Sequence, residues 1–529
     1  MSISARPSAQ GPAPASRWAG VWGWLTTTDH KKIGLMYLWT SLILFFVAGF
    51  EALALRLQLF GPRMSVLTPD TYNHTLTLHG TSMIFLVVIP ALTGFGNYFV
   101  PLLIGAKDMA FPRLNAISYW LYPLAGLLLY SSLFVGPPAQ AGWTGYPPLT
   151  DSTYSPGFGT DLWILSLHLL GISSILGGLN FIVTILNLRA PGMRLNVMPL
   201  FVWTWLVTAW LQVIATPLLA GVLTMLLFDR NFGTSFFKAT GGGDPVLWQH
   251  LFWSYSHPAV YIMILSGFGI VSEVLPVFSR KPIFGYLAIA YSSVAIGVLG
   301  FVVWAHHMFQ TGIDVRLRIA IMVTTMLIAI PTGVKIFSWL ATLWGGDLQF
   351  HTPMLFATSF VAFFVIGGLS GIFLASIPVD IAVTQTYFVV AHIHYVLFAG
   401  SMIALFAAFY YWFPKMSGRM LSEPLGKWHF WLTITAMNVA FFPMHFLGVM
   451  GMPRRIATYA PVFTDWNRVV SVGAFVLGAA QLLLIINVVQ SLRRGPPAPE
   501  DPWGGHTLEW TVSSPPPAEN FPEVPRIAA

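Results

Sequence analysis

The feature that most constrains this chain recurs along it: apolar runs, nearly free of charge, long enough to cross a bilayer as helices. The run from about Thr386 to Phe413 is one of them. Hydrocarbon offers backbone groups no partners, so such runs must satisfy their own hydrogen bonds, and a helix does so within a single segment. We read about twelve, centred near Phe45, Val88, Gly126, Ile175, Trp210, Ile264, Val294, Ile330, Phe364, Leu397, Ala440 and Ala479. With 56% of residues hydrophobic and 9% charged, a water-soluble fold could not solvate its surface. The expected fold is an all-α integral membrane protein: one bundle over residues 29–494, between an N-terminal tail (1–28) and a Pro-rich C-terminal tail (495–529) that reads as disordered.

The net charge of +7 raises the question of a polyanionic partner, but the cations follow the loops. With the N-terminus inside, Lys31, Lys32, Lys107, Arg113, Arg189, Arg194, Arg280, Lys281, Lys415, Arg419, Lys427, Arg493 and Arg494 fall on inner connections, and outer loops carry fewer. That bias places both termini in the cytoplasm and removes the argument for nucleic acid. The absence of cysteine excludes disulfides, thiolate metal sites and Cys-linked haem. Any metal must rest on imidazole or oxygen.

Histidines supply the candidates. His392 and His394 share the run from Thr386 to Phe413. Positions i and i+2 of a helix point about 200° apart, so one helix could serve a different metal centre on each side. His79 lies near the outer end of the second run. His257 and Tyr261, at i and i+4, share a face of the sixth. The seventh ends in Trp304-Ala305-His306-His307-Met308. Three imidazoles from two helices, without thiolate or nearby carboxylate, suit copper or zinc.

Two further groups lie inward. Lys335, in Pro331-Thr332-Gly-Val-Lys335, sits about 22 Å along a helix entered from outside, where an amine is costly enough to suggest ion or proton passage. Asp108 sits at the inner surface between Asn97 and Asn115, with Ser173, Ser174 and Asn180 interrupting the fourth apolar run as a possible polar path. Histidines in the outer half, with polar residues reaching in from the cytoplasm, form a proton-uptake layout.

The motifs Trp-Ala-His-His-Met, His-Pro-x-Val-Tyr, Pro-Thr-Gly-Val-Lys and Val-Ala-His-x-His-Tyr, in this order, resemble subunit I of the haem-copper terminal oxidases over residues 25 to 490. The resemblance implies that His79 and His394 are axial ligands of a low-spin haem iron. It implies that His392 binds a high-spin haem iron and that His257, His306 and His307 hold copper B. Tyr261 would be joined covalently to His257. Arg454 and Arg455 would neutralise haem propionates, and Arg56 matches the residue that contacts the formyl of haem A. Lys335, Thr332 and Ser272 resemble one proton path, and Asp108 with its amides and serines the entrance to another. By the same resemblance the chain reduces O2 to water with electrons from cytochrome c and pumps protons. It would do so in a bacterial inner membrane, beside a subunit II and a subunit III.

Two departures stand out. Where many members carry glutamate this chain has Ala259, preceded by Tyr255-Ser256, as in the tyrosine-serine subgroup of the A type. Thr384-Gln385 replaces a His-Asp pair, and neither side chain is a hard anionic ligand, which puts the family's magnesium ion in question. Quinol oxidation and nitric oxide reduction stay open within the superfamily. A secondary transporter stays open outside it, although no internal repeat is visible.

Overall fold

A computed structural model describes residues 17–527, and among them the chain is helical with no β-strand. A short helix, Arg17–Leu25, precedes the bundle. The membrane crossings are α1 (His30–Gln58), α2 (Pro69–Ile104), α3 (Pro112–Ser131), α4 (Gly159–Asn187), α5 (Leu200–Asn231), α6 (Pro245–Ser279), α7 (Tyr286–Leu299), α8 (Val315–Leu343), α9 (Thr352–Ala375), α10 (Tyr387–Ser417), α11 (Glu423–Val449) and α12 (Pro461–Arg494). Each expected centre falls inside one of them. Leu127, Phe337, Ile43 and Phe50 stand exposed on the outside, as lipid-facing residues must, while aromatic rings such as Trp163, Trp205, Trp339 and Trp412 are fully buried between helices.

The sequence pattern explains where helices start and stop. Asp29 caps α1 by accepting from the Lys31 amide at 2.8 Å, and Asp244 caps α6 by accepting from Val246 at 2.8 Å. Gly105, with φ of 76°, ends α2 in the left-handed conformation that glycine adopts without strain. The α-helix of α7 is only 14 residues long, too short for the bilayer core. It stops at Gly300, where a Cβ would lie 2.9 Å from the Tyr261 ring. A 3-10 turn, Trp304–Met308, continues outward from there, so the paired histidines sit on a turn and not on the helix end expected from the pattern.

Two crossings contain π-helical segments, Ser82–Val88 in α2 and Leu397–Met402 in α10. Pro90 follows the first closely. Having no N–H, it cannot donate to the Leu86 carbonyl one turn back, and the Tyr122 hydroxyl of α3 does so at 2.6 Å.

The C-terminal tail departs from expectation. Proline keeps it out of helix and sheet, yet it is ordered, because it carries apolar anchors and the bundle offers polar ones. Trp503, Trp510, Val512 and Phe521 are buried. Trp503 Nε1 donates to the Tyr411 carbonyl and Trp510 Nε1 to the Tyr411 hydroxyl, both at 2.9 Å. Lys415 Nζ reaches the carbonyls of Val512 and Glu500 at 2.5 and 2.9 Å. Asn520 bonds to His30 and Lys31 at the start of α1, so the N-terminal end of the bundle and the tail share one face.

Candidate active site

Four imidazoles are pinned through one nitrogen. His79 Nδ1 donates to the Ala48 carbonyl of α1 at 2.9 Å, and His394 Nδ1 to its own helix at Val390, 2.8 Å away. The Ser370 hydroxyl donates to Gly367 O and therefore accepts from His392 Nδ1 at 3.0 Å. By the same logic Thr325 Oγ1, which donates to Ile321 O, accepts from His306 Nδ1 at 3.1 Å. Each bond fixes a tautomer in which Nε2 keeps a free lone pair, as a metal ligand requires.

His79 and His394 line one cavity of about 560 Å³, together with Arg56, Arg454, Arg455 and Tyr387. That volume lies within the range of cofactor clefts. The His394 ring stacks on Phe441 at 4.2 Å. His392 leaves the other side of α10 toward α9, where Gly371 leaves room for its ring. The expectation that the two histidines serve opposite faces of one helix is realised.

His257, His306 and His307 form the single cluster among the described residues whose nitrogen ligand atoms all lie within 4.8 Å of one another. His257 Nδ1 is 3.2 Å from His307 Nε2, and His257 Nε2 is buried without a partner. His307 stacks on Trp253 at 3.7 Å. The Tyr261 ring lies edge-on to His257, centroids 4.6 Å apart. Three imidazoles crowded together, with one buried nitrogen left unpartnered, are costly without a cation to share.

Arg56 is held by Ser471 and Asn467 through Nε and Nη2, and its Nη1 is left buried and unpartnered. Arg454 Nε donates to Gln385 Oε1 at 3.3 Å, so that amide is engaged with the cation. Burial and the neighbouring Arg455 bring the Arg454 guanidinium down to about 10. Asp380, in the connection between α9 and α10, is buried near Arg454, and burial pushes its carboxyl up to about 7. Sequence reading missed it, because one acid in a short loop carries no signal.

On the inner side, Asp108 Oδ1 accepts from the Met109 amide at 2.6 Å, and burial raises its carboxyl to about 6. Asn180 clamps the Phe111 backbone at 2.9 and 3.0 Å, which ties the Asp108 loop to α4. Asn97 Oδ1 and Asn115 Nδ2, an acceptor and a donor, are both buried and unpartnered. Beyond them Tyr37 OH, Ser118 Oγ and Ser173 Oγ lie 3.1 and 3.3 Å apart in sequence. They open on a cavity of about 30 Å³, enough for a water, which is also lined by Ser174, Gln212 and Tyr255. Ser256 Oγ is buried and unpaired. Tyr37, Ser118 and Gln212 were not foreseen, since single polar residues in apolar helices usually serve packing.

Lys335 is fully buried, its Nζ 2.6 Å from Ser293 Oγ and 2.9 Å from Ile289 O, both on α7. Thr332 donates to its own helix at Ile328, and Ser272 donates to Phe268 O while accepting from Trp339 Nε1. Neither hydroxyl bonds the amine; Ser293 does.

Fold and site together define a class: a polytopic membrane protein with an all-imidazole cluster able to hold a metal ion and, separately, a cofactor-sized cavity. A family model described as cytochrome c and quinol oxidase polypeptide I matches residues 32–476. The chain is 57% identical to cytochrome c oxidase subunit 1 of Synechocystis sp. over 94% of its length and 90% of that protein. It is 48% identical to cytochrome c oxidase subunit 1 of Cereibacter sphaeroides, with 95% of each covered. A haem-copper terminal oxidase dimer solved by electron cryo-microscopy shares the fold, with a TM-score of 0.72 at 20% identity, over 88% of this chain and 84% of that one. The chain belongs to the haem-copper oxidase family as subunit I, the catalytic subunit of a terminal oxidase. The transporter reading is thereby set aside.

Proposed function

We propose that the chain reduces O2 to water with electrons from cytochrome c and couples the reaction to proton pumping. The observation that carries this is the buried trio His257, His306 and His307 beside the Tyr261 phenol. The donor set fits the family's groups: His257 Nδ1 with two neighbouring imidazoles for copper B, and two oriented histidines on one large cavity for a low-spin haem. His392 would hold the high-spin haem. The unpartnered Arg56 Nη1 suits a formyl oxygen and hence haem A. Arg454 and Arg455 would face propionates.

When bound, these groups would carry electrons from the donor and supply the oxygen-binding centre. The chain's own residues do the rest. Tyr261, joined to His257, donates a proton and an electron. Asp108 collects protons at the inner face and passes them by the Asn97, Asn115 and Ser173 region to Tyr255 and Ser256. Lys335 serves a second route. Both termini lie in the cytoplasm of a bacterium, the bundle spans residues 29–494, and a subunit II, probed together with subunit III by co-purification, delivers electrons. Reduced-minus-oxidised spectra, copper analysis and O2 consumption with reduced cytochrome c or a quinol test this reading. An enzyme that oxidises only quinol overturns the choice of donor.

Ala259 stands one turn from Tyr255, and both are buried. Helical side chains lean toward the N-terminus, so a carboxyl at 259 would reach the region of the Tyr255 hydroxyl. Tyr255→Phe is expected to slow proton uptake during single-turnover oxidation, and Tyr255→Phe with Ala259→Glu to restore it. Normal uptake in the single mutant would remove Tyr255 from the route.

A further inference from the structure

The C-terminal tail does more than cover the inner face of the bundle. Asn520 adopts a left-handed backbone, φ 65°, which asparagine tolerates better than most residues. That turn buries its amide at the start of α1. Nδ2 donates to the carbonyls of Ala106 and Lys107 at 2.8 and 3.2 Å, the residues just before Asp108. Oδ1 accepts from Lys31 Nζ at 2.7 Å. The same ammonium donates to the Ala518 carbonyl at 2.9 Å and pairs with Asp29 at 3.3 Å. Two of its three partners therefore belong to the tail.

Lys31 is the cation to watch, because the amide of the adjacent His30 points at the Asp108 carboxyl. A four-carbon stem rooted beside that amide can swing to Asp108 once its present partners are gone. From its present position Lys31 already draws the Asp108 carboxyl down, by less than burial pushes it up, and Asp29 opposes its ionisation; Lys107 is drawn to Glu519 of the tail at 3.2 Å. The tail thus engages both nearby lysines.

We propose that the C-terminal tail, through Asn520 and the Ala518 carbonyl, is a positioning element that holds Lys31 off Asp108 and so keeps that carboxyl a proton acceptor instead of half of an ion pair. This rests on the reading of Asp108 as the proton entry. Burial is the largest cause of the high carboxyl of Asp108, and a lysine paired with it directly would lower it further than Lys31 does from its tail-bound position.

The test is an infrared titration of the full-length, cofactor-loaded enzyme, in which the Asp108 carboxyl band is assigned by its loss in Asp108→Asn. Truncation after Pro517 removes both tail acceptors, and Asn520→Gly keeps the backbone angle while removing only the amide. The midpoint of Asp108 should fall by about one pH unit in the truncated enzyme and by less in Asn520→Gly, a modest shift because the site is partly solvated. Adding Lys31→Met should return both to the wild-type midpoint or slightly above it. An unchanged midpoint in the truncated enzyme, or a lowered one that Lys31→Met does not restore, overturns the proposal. Proton-uptake rates in Asp108→Asn test the entry reading separately, because the band reports the carboxyl whether or not protons enter there.

Discussion

Replacing His394 with alanine is expected to abolish the low-spin haem band while copper content stays near that of the parent enzyme. His394 and His79 face one cavity, each with its Nδ1 proton committed to a carbonyl, so each keeps a single Nε2 lone pair for the haem iron proposed between them. Alanine would remove one of these two proposed ligands and also the ring stacked on Phe441. The copper trio hangs from α6 and the turn after α7, and none of its hydrogen bonds involves His394. His79→Ala should behave alike. An optical spectrum with metal analysis decides the matter: copper loss beside an intact low-spin band would reverse the assignment of the two centres.

Lys335→Met is expected to cut steady-state O2 consumption by about 10² or more, the range lost with a proton-transfer group. The ammonium end is fully buried, with a hydroxyl and a carbonyl of α7 as partners and the Phe268 ring 5.5 Å away. No carboxylate pairs with it among the described residues. Burying an amine on those terms costs on the order of a few kcal/mol. Methionine keeps the stem and removes that cost. Activity should therefore collapse while the thermal unfolding temperature holds or rises. Turnover at the parent rate would reduce Lys335 to a packing residue.

What the sequence disclosed and what it hid have separable causes. The crossings were legible because bilayer thickness imposes a length and apolar composition marks it. The histidines were legible because i, i+2 and i, i+4 spacings translate directly into faces. Ser293 was not: it meets Lys335 from another helix, 42 residues away, and looks like any serine in a membrane span. The order of the tail was hidden because proline content reports only which regular structures are barred. Whether the tail docks depends on Tyr411, Lys415 and Lys31, far away in the chain. The 3-10 turn under His306 and His307 was hidden too, since it follows the close approach of the Tyr261 ring to Gly300, a tertiary contact with no mark in the local sequence.

The π-helical segments bear on how one helix can serve two tasks. A wider turn accommodates an extra residue and leaves the stretches on either side roughly 100° out of phase. In α2 the segment separates His79, on the large cavity, from Asn97, whose carbonyl accepts from His30 beside the proton entry. In α10 it separates His394 from Tyr411 and Lys415, which grip the tail. Each segment acts as a clutch between a stretch with the proposed metal ligands and a stretch that meets the tail or the proposed proton entry. Deleting a single residue there is expected to turn the second stretch about a quarter revolution against its neighbours and so to misalign the proposed proton route while leaving the proposed metal ligands in place.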